Sequence, residues 1–117
     1  MSAEQYQKIV ESYVEAFDKA DINIIDTMFA DDATVEDPVG TEVRVGKEAI
    51  LAFYTQAFEY GAKLELNGDI RAAGNSVAFT FDVVMGDTRI SPIDVFEINA
   101  EGKVQTMRAY WGPENMG

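Results

Sequence analysis

Around Gly61 the hydrophobic period of this chain changes from about 3.6 residues to 2, so helices must come before it and strands after. On the helical side, Tyr6, Ile9, Val10, Tyr13, Val14 and Phe17 recur at the i, i+3, i+4, i+7 spacing of one helix face, and Ser2 is placed to cap it. Asp21 starts a second, short helix with Ile24, Ile25, Met28 and Phe29 as its inward stripe. Residues 47–59 read as a third, with Ile50, Leu51, Phe53, Tyr54, Ala57 and Phe58 inward and Gly61 as its stop.

On the other side, Leu64 and Leu66 open one strand, and Val77, Phe79, Phe81 and Val83 alternate along another after a turn at Gly74-Asn75. Gly86-Asp87 connects this to a strand over 88–99, and Ala100-Glu101-Gly102 connects that to 103–111. One more strand, 33–37, lies within the helical half and ends at the turn Pro38-Val39-Gly40. The order predicts an α+β fold with helices on one face of a curved, mostly antiparallel sheet. At 117 residues the chain fits a single domain, 1–117.

Two absences narrow the chemistry. There are no cysteines, which excludes disulfides, thiol nucleophiles and thiolate metal sites. There are no histidines either, so acid–base work near neutral pH falls to Asp, Glu, Tyr or Lys. The 21 Asp+Glu against 9 Lys+Arg give a net charge of −12, a surface that repels nucleic acid and anionic lipid. No apolar run approaches the length of a membrane span, and the polar N-terminus carries no signal pattern, so the expectation is a cytoplasmic protein.

The residues that break the binary pattern are the informative ones, because an unpaired carboxylate on a buried face costs several kcal/mol. In DDATVEDPVG, Asp37 falls in register with Ala33 and Val35 on the apolar side. Taken alone, an Asp before Pro is better explained by a turn. Asp94, in SPIDVFEI, alternates with Pro92, Phe96 and Ile98, while its flanks Ile93 and Val95 make both strand faces look covered. With no Lys or Arg beside it in sequence, such a carboxyl should stay neutral; the alternative is an edge strand with the side chain in solvent. Tyr13 sits among Ile9, Val10 and Phe17, as an ordinary core tyrosine also would, and Tyr54 shares that ambiguity. If the three converge, they form a constellation of one ionised base, one hydroxyl and one neutral acid. Such a set can take a proton beside a carbonyl and stabilise the resulting enolate oxygen.

The stretches FADDATVEDPVG (29–40) and SPIDVFEINAEGKVQTMRAYWGPEN (91–115), with EAILAFY (48–54) and the Tyr13 helix, resemble the bacterial Δ5-3-ketosteroid isomerases of the nuclear-transport-factor-two-like, SnoaL-like superfamily. The resemblance implies a conical apolar pocket between sheet and helices, a steroid substrate, no cofactor, no metal and a homodimer. It assigns Asp37 as the general base, Tyr13 and a protonated Asp94 as oxyanion donors, and Tyr54 as a partner of Tyr13. Steroid isomerases are the known case of a carboxylic acid held neutral to donate a hydrogen bond, so that logic belongs to the family. Phe53, Phe81, Val83, Met107 and Trp111 are the expected pocket lining, although plain core packing would give the same pattern. Asp31, Asp32 and Glu36 read as solvated surface. In two places the chain departs from its relatives. Phe29 stands where one branch has a further tyrosine, and the hairpin at Gly86-Asp87 is about two residues tighter.

Other functions remain conceivable on the same scaffold. A sterol or polyketide carrier needs no proton-transfer carboxylate. A cyclase of this fold usually uses a histidine, and an epoxide hydrolase uses an Asp-Arg-Asp set, for which Arg44, Arg71, Arg89 and Arg108 are the available arginines.

Overall fold

Helix α1 (Ala3–Lys19) begins at a reciprocal capping box: Ser2 Oγ accepts the Gln5 N–H at 3.2 Å, and Gln5 Oε1 accepts the Ser2 N–H at 2.7 Å. Its last turn is tied down by Lys63, whose Nζ donates to the carbonyls of Phe17 and Asp18 at 3.1 and 2.8 Å, a cation at the negative end of the helix. This computed structural model describes residues 1–117. Asp21 caps α2 (Ile22–Met28) by accepting the Asn23 N–H at 3.0 Å. The third helix, α3 (Lys47–Glu59), ends at Tyr60 and Gly61, whose φ of 76° turns the chain back toward the sheet.

The strands are β1 (Phe29–Glu36), β2 (Arg44–Val45), β3 (Lys63–Leu66), β4 (Arg71–Ala73), β5 (Ser76–Met85), β6 (Thr88–Ile90), β7 (Ile93–Ile98) and β8 (Val104–Tyr110). They form one sheet in the order β2-β1-β8-β7-β5-β3, with β4 and β6 also paired to β5. The β1–β8 pair is parallel and every other pair antiparallel, so the curled sheet is mixed and closes as a half-barrel over the helices. Alternate residues along β5, β7 and β8 face inward: Val77, Phe79 and Phe81, then Asp94, Phe96 and Ile98, then Met107 and Ala109. They pack against the inward faces of α1 and α3. No helix is long and apolar enough to cross a membrane.

Four local readings change. Phe29 is not part of the α2 stripe; it opens β1, which starts four residues earlier than the periodicity suggests. The expected strand over 88–99 breaks at Ser91-Pro92 into β6 and β7, because proline has no N–H for the ladder. The short strands β2 and β4 carry no alternation that would announce them. Finally, the outer face of β7 is not covered, since Ile93 is 44% exposed.

Candidate active site

Asp94 lies in the middle of the sheet, which removes the edge-strand alternative. Its strand runs between β5 and β8, and its cross-strand neighbours are Phe79 and Ala109. The side chain is 1% exposed, and neither carboxyl oxygen has a hydrogen-bond partner. Burial, followed by the charge of Asp37, pushes this carboxyl well above the usual carboxylate range. Tyr13 opposes the shift more weakly, without a hydrogen bond of normal geometry. Burial and the Asp37 charge both favour its neutral form, which would hold an O–H with no acceptor to take it.

The small Ala109 opposite it leaves room. That room is a cavity of about 220 Å³, walled by Tyr13, Asp37, Tyr54, Asp94, Ala109 and Trp111 at one end and by mostly apolar side chains elsewhere. The three expected groups thus meet in one space, from α1, the end of β1 and β7. Tyr13 reaches it within a cage of edge-on rings, Phe17, Phe79 and Phe96 at 5.2, 6.0 and 5.0 Å between centroids. Its hydroxyl is 2.9 Å from that of Tyr54. Burial holds both phenols well above their ordinary pKa, so both are neutral donors. The hydroxyl chain stops there: Tyr54 next meets the ring of Phe29, at 5.6 Å.

Asp37 lies just beyond β1, joined to Pro38 by a cis peptide. The turn that follows is fixed by the Val39 N–H donating to the Ala109 carbonyl at 2.8 Å and by Glu36 accepting the Gly40 N–H at 2.9 Å. Trp111 Nε1 donates to Asp37 Oδ1 at 2.8 Å, while Oδ2 makes no hydrogen bond. Burial raises the Asp37 pKa from its ordinary value; the indole N–H and then the charge of Arg44 hold it down. Half-buried and partly compensated, Asp37 ionises before Asp94. The two carboxyls of the cavity thus differ in how readily they ionise, Asp37 more readily than Asp94, the difference that a paired base and acid require.

Of the expected lining, Phe53, Phe81, Val83 and Trp111 are in the cavity wall. Met107 is not: it is fully buried in the core beside Val35 and Phe96, one alternation down β8 from Ala109. Sequence reading missed Phe17, Ala57, Leu64, Met85, Ile90 and Pro92 as wall residues, and it missed Trp111 as a hydrogen-bond donor. Phe53, Ala57 and Tyr60 share a helix stripe that could have flagged that face; nothing local marks Trp111. Asp31 and Asp32 are exposed, whereas Glu36 is half-buried and pairs with Arg108 at 3.7 Å.

No arginine enters the wall. Arg44 stacks over Phe53 at 4.4 Å, Arg89 binds Glu65 and Asp82, and Arg71 donates to backbone carbonyls.

The neutral Asp94 has a consequence for stability. A raised folded-state pKa makes its contribution complete below the unfolded carboxylate value, near 4, and lost as pH climbs from there through the folded value. Asp94→Asn abolishes this dependence. Urea unfolding should show the variant gaining on the wild type by about 1.4 kcal/mol per pH unit above pH ~4. Parallel pH profiles would show that Asp94 is ionised in the folded protein.

Comparison with known proteins gives a consistent set of relatives. A family model of the SnoaL-like domain matches residues 10–107. A steroid Delta-isomerase of Nocardioides simplex is 37% identical over 120 residues, covering 99% of this chain and 96% of that protein. The epoxide hydrolase LasB of Streptomyces lasalocidi is 32% identical over 96% of this chain but only 43% of its own length. Among solved structures, SalBIII, described as an epoxide hydrolase/cyclase-like enzyme in pyran ring formation of salinomycin, superposes with a TM-score of 0.91. It is 32% identical and covers 100% of this chain and 98% of that one.

Proposed function

The chain belongs to the SnoaL-like domain family, and from that membership we propose that it is a steroid Δ-isomerase, moving a 5,6 double bond into conjugation with a 3-ketone. The observation that carries this reading is a half-buried carboxylate and a fully buried, unpartnered carboxylic acid in one apolar cavity beside a tyrosine pair. Asp37 removes a proton from the carbon between ketone and double bond, using the oxygen that Trp111 leaves free. The C–H electron pair shifts into the ring as a dienolate, whose negative charge settles on the ketone oxygen. Tyr13, its hydroxyl backed by Tyr54, and the neutral Asp94 donate to that oxygen where the charge develops. Asp37 then returns the same proton to the far end of the dienolate, so the product differs from the substrate only in the position of the double bond. The apolar walls hold flat rings and keep water from the base.

The test is direct: the protein mixed with 5-androstene-3,17-dione should raise the ultraviolet absorbance of the conjugated enone. No rise from folded protein would sink the proposal. Trp111→Phe removes the indole donor that holds Asp37 down. The acid limb of its kcat/KM profile should therefore move to higher pH; an unmoved limb would mean that the bond does not tune the base.

The polyether relatives favour a second reading, in which Asp94 protonates an epoxide oxygen while Asp37 takes a proton from the attacking hydroxyl. A water-activating Asp-Arg-Asp set has no counterpart in this wall, so within that reading cyclisation is better supported than hydrolysis. Turnover of an epoxy-alcohol without steroid turnover would select it. A passive carrier would have no use for the unpartnered acid.

A further inference from the structure

The cavity wall has a third polar place, distant from the reacting end. The wall side chains that carry a carboxyl or amide group are Asp37, Asp94 and Gln56. The proposed reaction uses the first two and leaves Gln56 without a role. Phe53, Gln56, Ala57 and Tyr60 follow i, i+3, i+4, i+7 along α3, and all four line the cavity. Phe53 marks the inner end of this stripe, because it adjoins Tyr54, which is fully buried with its hydroxyl 2.9 Å from that of Tyr13. Seven residues further, about 10 Å along the helix axis, Tyr60 stands 66% exposed at the outer end. Gln56 Nε2 donates to the Tyr60 hydroxyl at 3.2 Å. That single bond leaves the Tyr60 O–H free to donate and Gln56 Oε1 free to accept.

We propose that Gln56 and Tyr60 form a distal recognition subsite for an oxygen substituent, ketone or hydroxyl, at the end of the fused-ring ligand remote from its reacting ketone. This rests on the steroid reading above. A four-ring skeleton with its ketone at Tyr13 and Asp94 runs outward along α3 and brings its last ring to this pair. A ketone there accepts from Tyr60, whereas a hydroxyl also donates to Gln56. The exposed aromatic ring then covers the outer ring face, a use that explains a large apolar surface kept at the mouth of an apolar cavity.

The experiment compares ligands that differ only at that end. Affinities of 4-androstene-3,17-dione and 4-androsten-3-one are read from quenching of Trp111, the one tryptophan, in the wild type, Gln56→Leu and Tyr60→Phe. The wild-type preference for the oxygenated ligand should fall about 2- to 10-fold in Tyr60→Phe, the range for one partly exposed hydrogen bond, and fall also in Gln56→Leu. Affinity for the deoxygenated ligand should hold. Both substituted side chains are exposed, so folding is expected to survive and is checked by thermal unfolding. An unchanged affinity ratio in both variants overturns the subsite, as does failure of 4-androstene-3,17-dione to bind. If the ratio falls but no variant or wild type isomerises, the subsite stands and the isomerase reading fails.

Discussion

Asp37→Asn should lower kcat for steroid isomerisation by about 10²–10⁴-fold, the range for removal of a general base, with steroid affinity nearly unchanged. The amide matches the carboxylate in shape and can still accept the Trp111 N–H, so the turn at 37–41 and the cavity wall should persist. What disappears is the basic oxygen. In a protein with no histidine or cysteine, no lysine or arginine lines the cavity to replace it. Progress curves at saturating steroid measure kcat, and equilibrium binding measures affinity. A variant that turns over like the wild type would remove Asp37 from the reaction.

The second large effect belongs to the opposite side of the cavity. Tyr13→Phe and Asp94→Ala should each cost about 10²–10³-fold in kcat, the range for one oxyanion donor. Asp94→Asn should cost less than Asp94→Ala, because an amide still donates where a neutral carboxyl did. The order would reverse if Asp94 worked as an anion. In the proposed mechanism both donors serve one oxygen, so the double variant should lose less than the product of the single losses. Tyr13→Phe also strands the buried Tyr54 hydroxyl at a cost of about 1–3 kcal/mol, so thermal unfolding of the variant separates lost stability from a catalytic defect.

How far the sequence led depends on how each residue signals its environment. Asp37 and Asp94 were visible because alternation is strict along a strand, and a charge on the wrong face stands out. Asp94 was the clearer of the two because it alternates with Phe96 and Ile98 on one face, although the opposite face, read as covered, is exposed at Ile93. Tyr13 could be located on the buried face of α1, but not distinguished from core, since a phenol satisfies both uses. Phe29 was assigned to a helix because its spacing from Ile25 fits one. The β1 ladder, formed with residues some 75 positions away, overrode that local preference. Met107 shows the limit of period two: it names the inward face but not the depth, and one step along β8 separates core from cavity wall. The bond from Trp111 to Asp37 joins residues 74 apart in sequence, so no local pattern could show it.

The most direct measurement reads the oxyanion hole without turnover. A steroid with a phenolic first ring, such as equilenin, is bound to Asp37→Asn and its ultraviolet spectrum followed against pH. Tyr13 and the neutral Asp94 should favour the phenolate, so the bound phenol ionises below the pH at which it ionises in water. An apolar pocket without such donors would desolvate the anion and push ionisation higher, and that result would contradict the account.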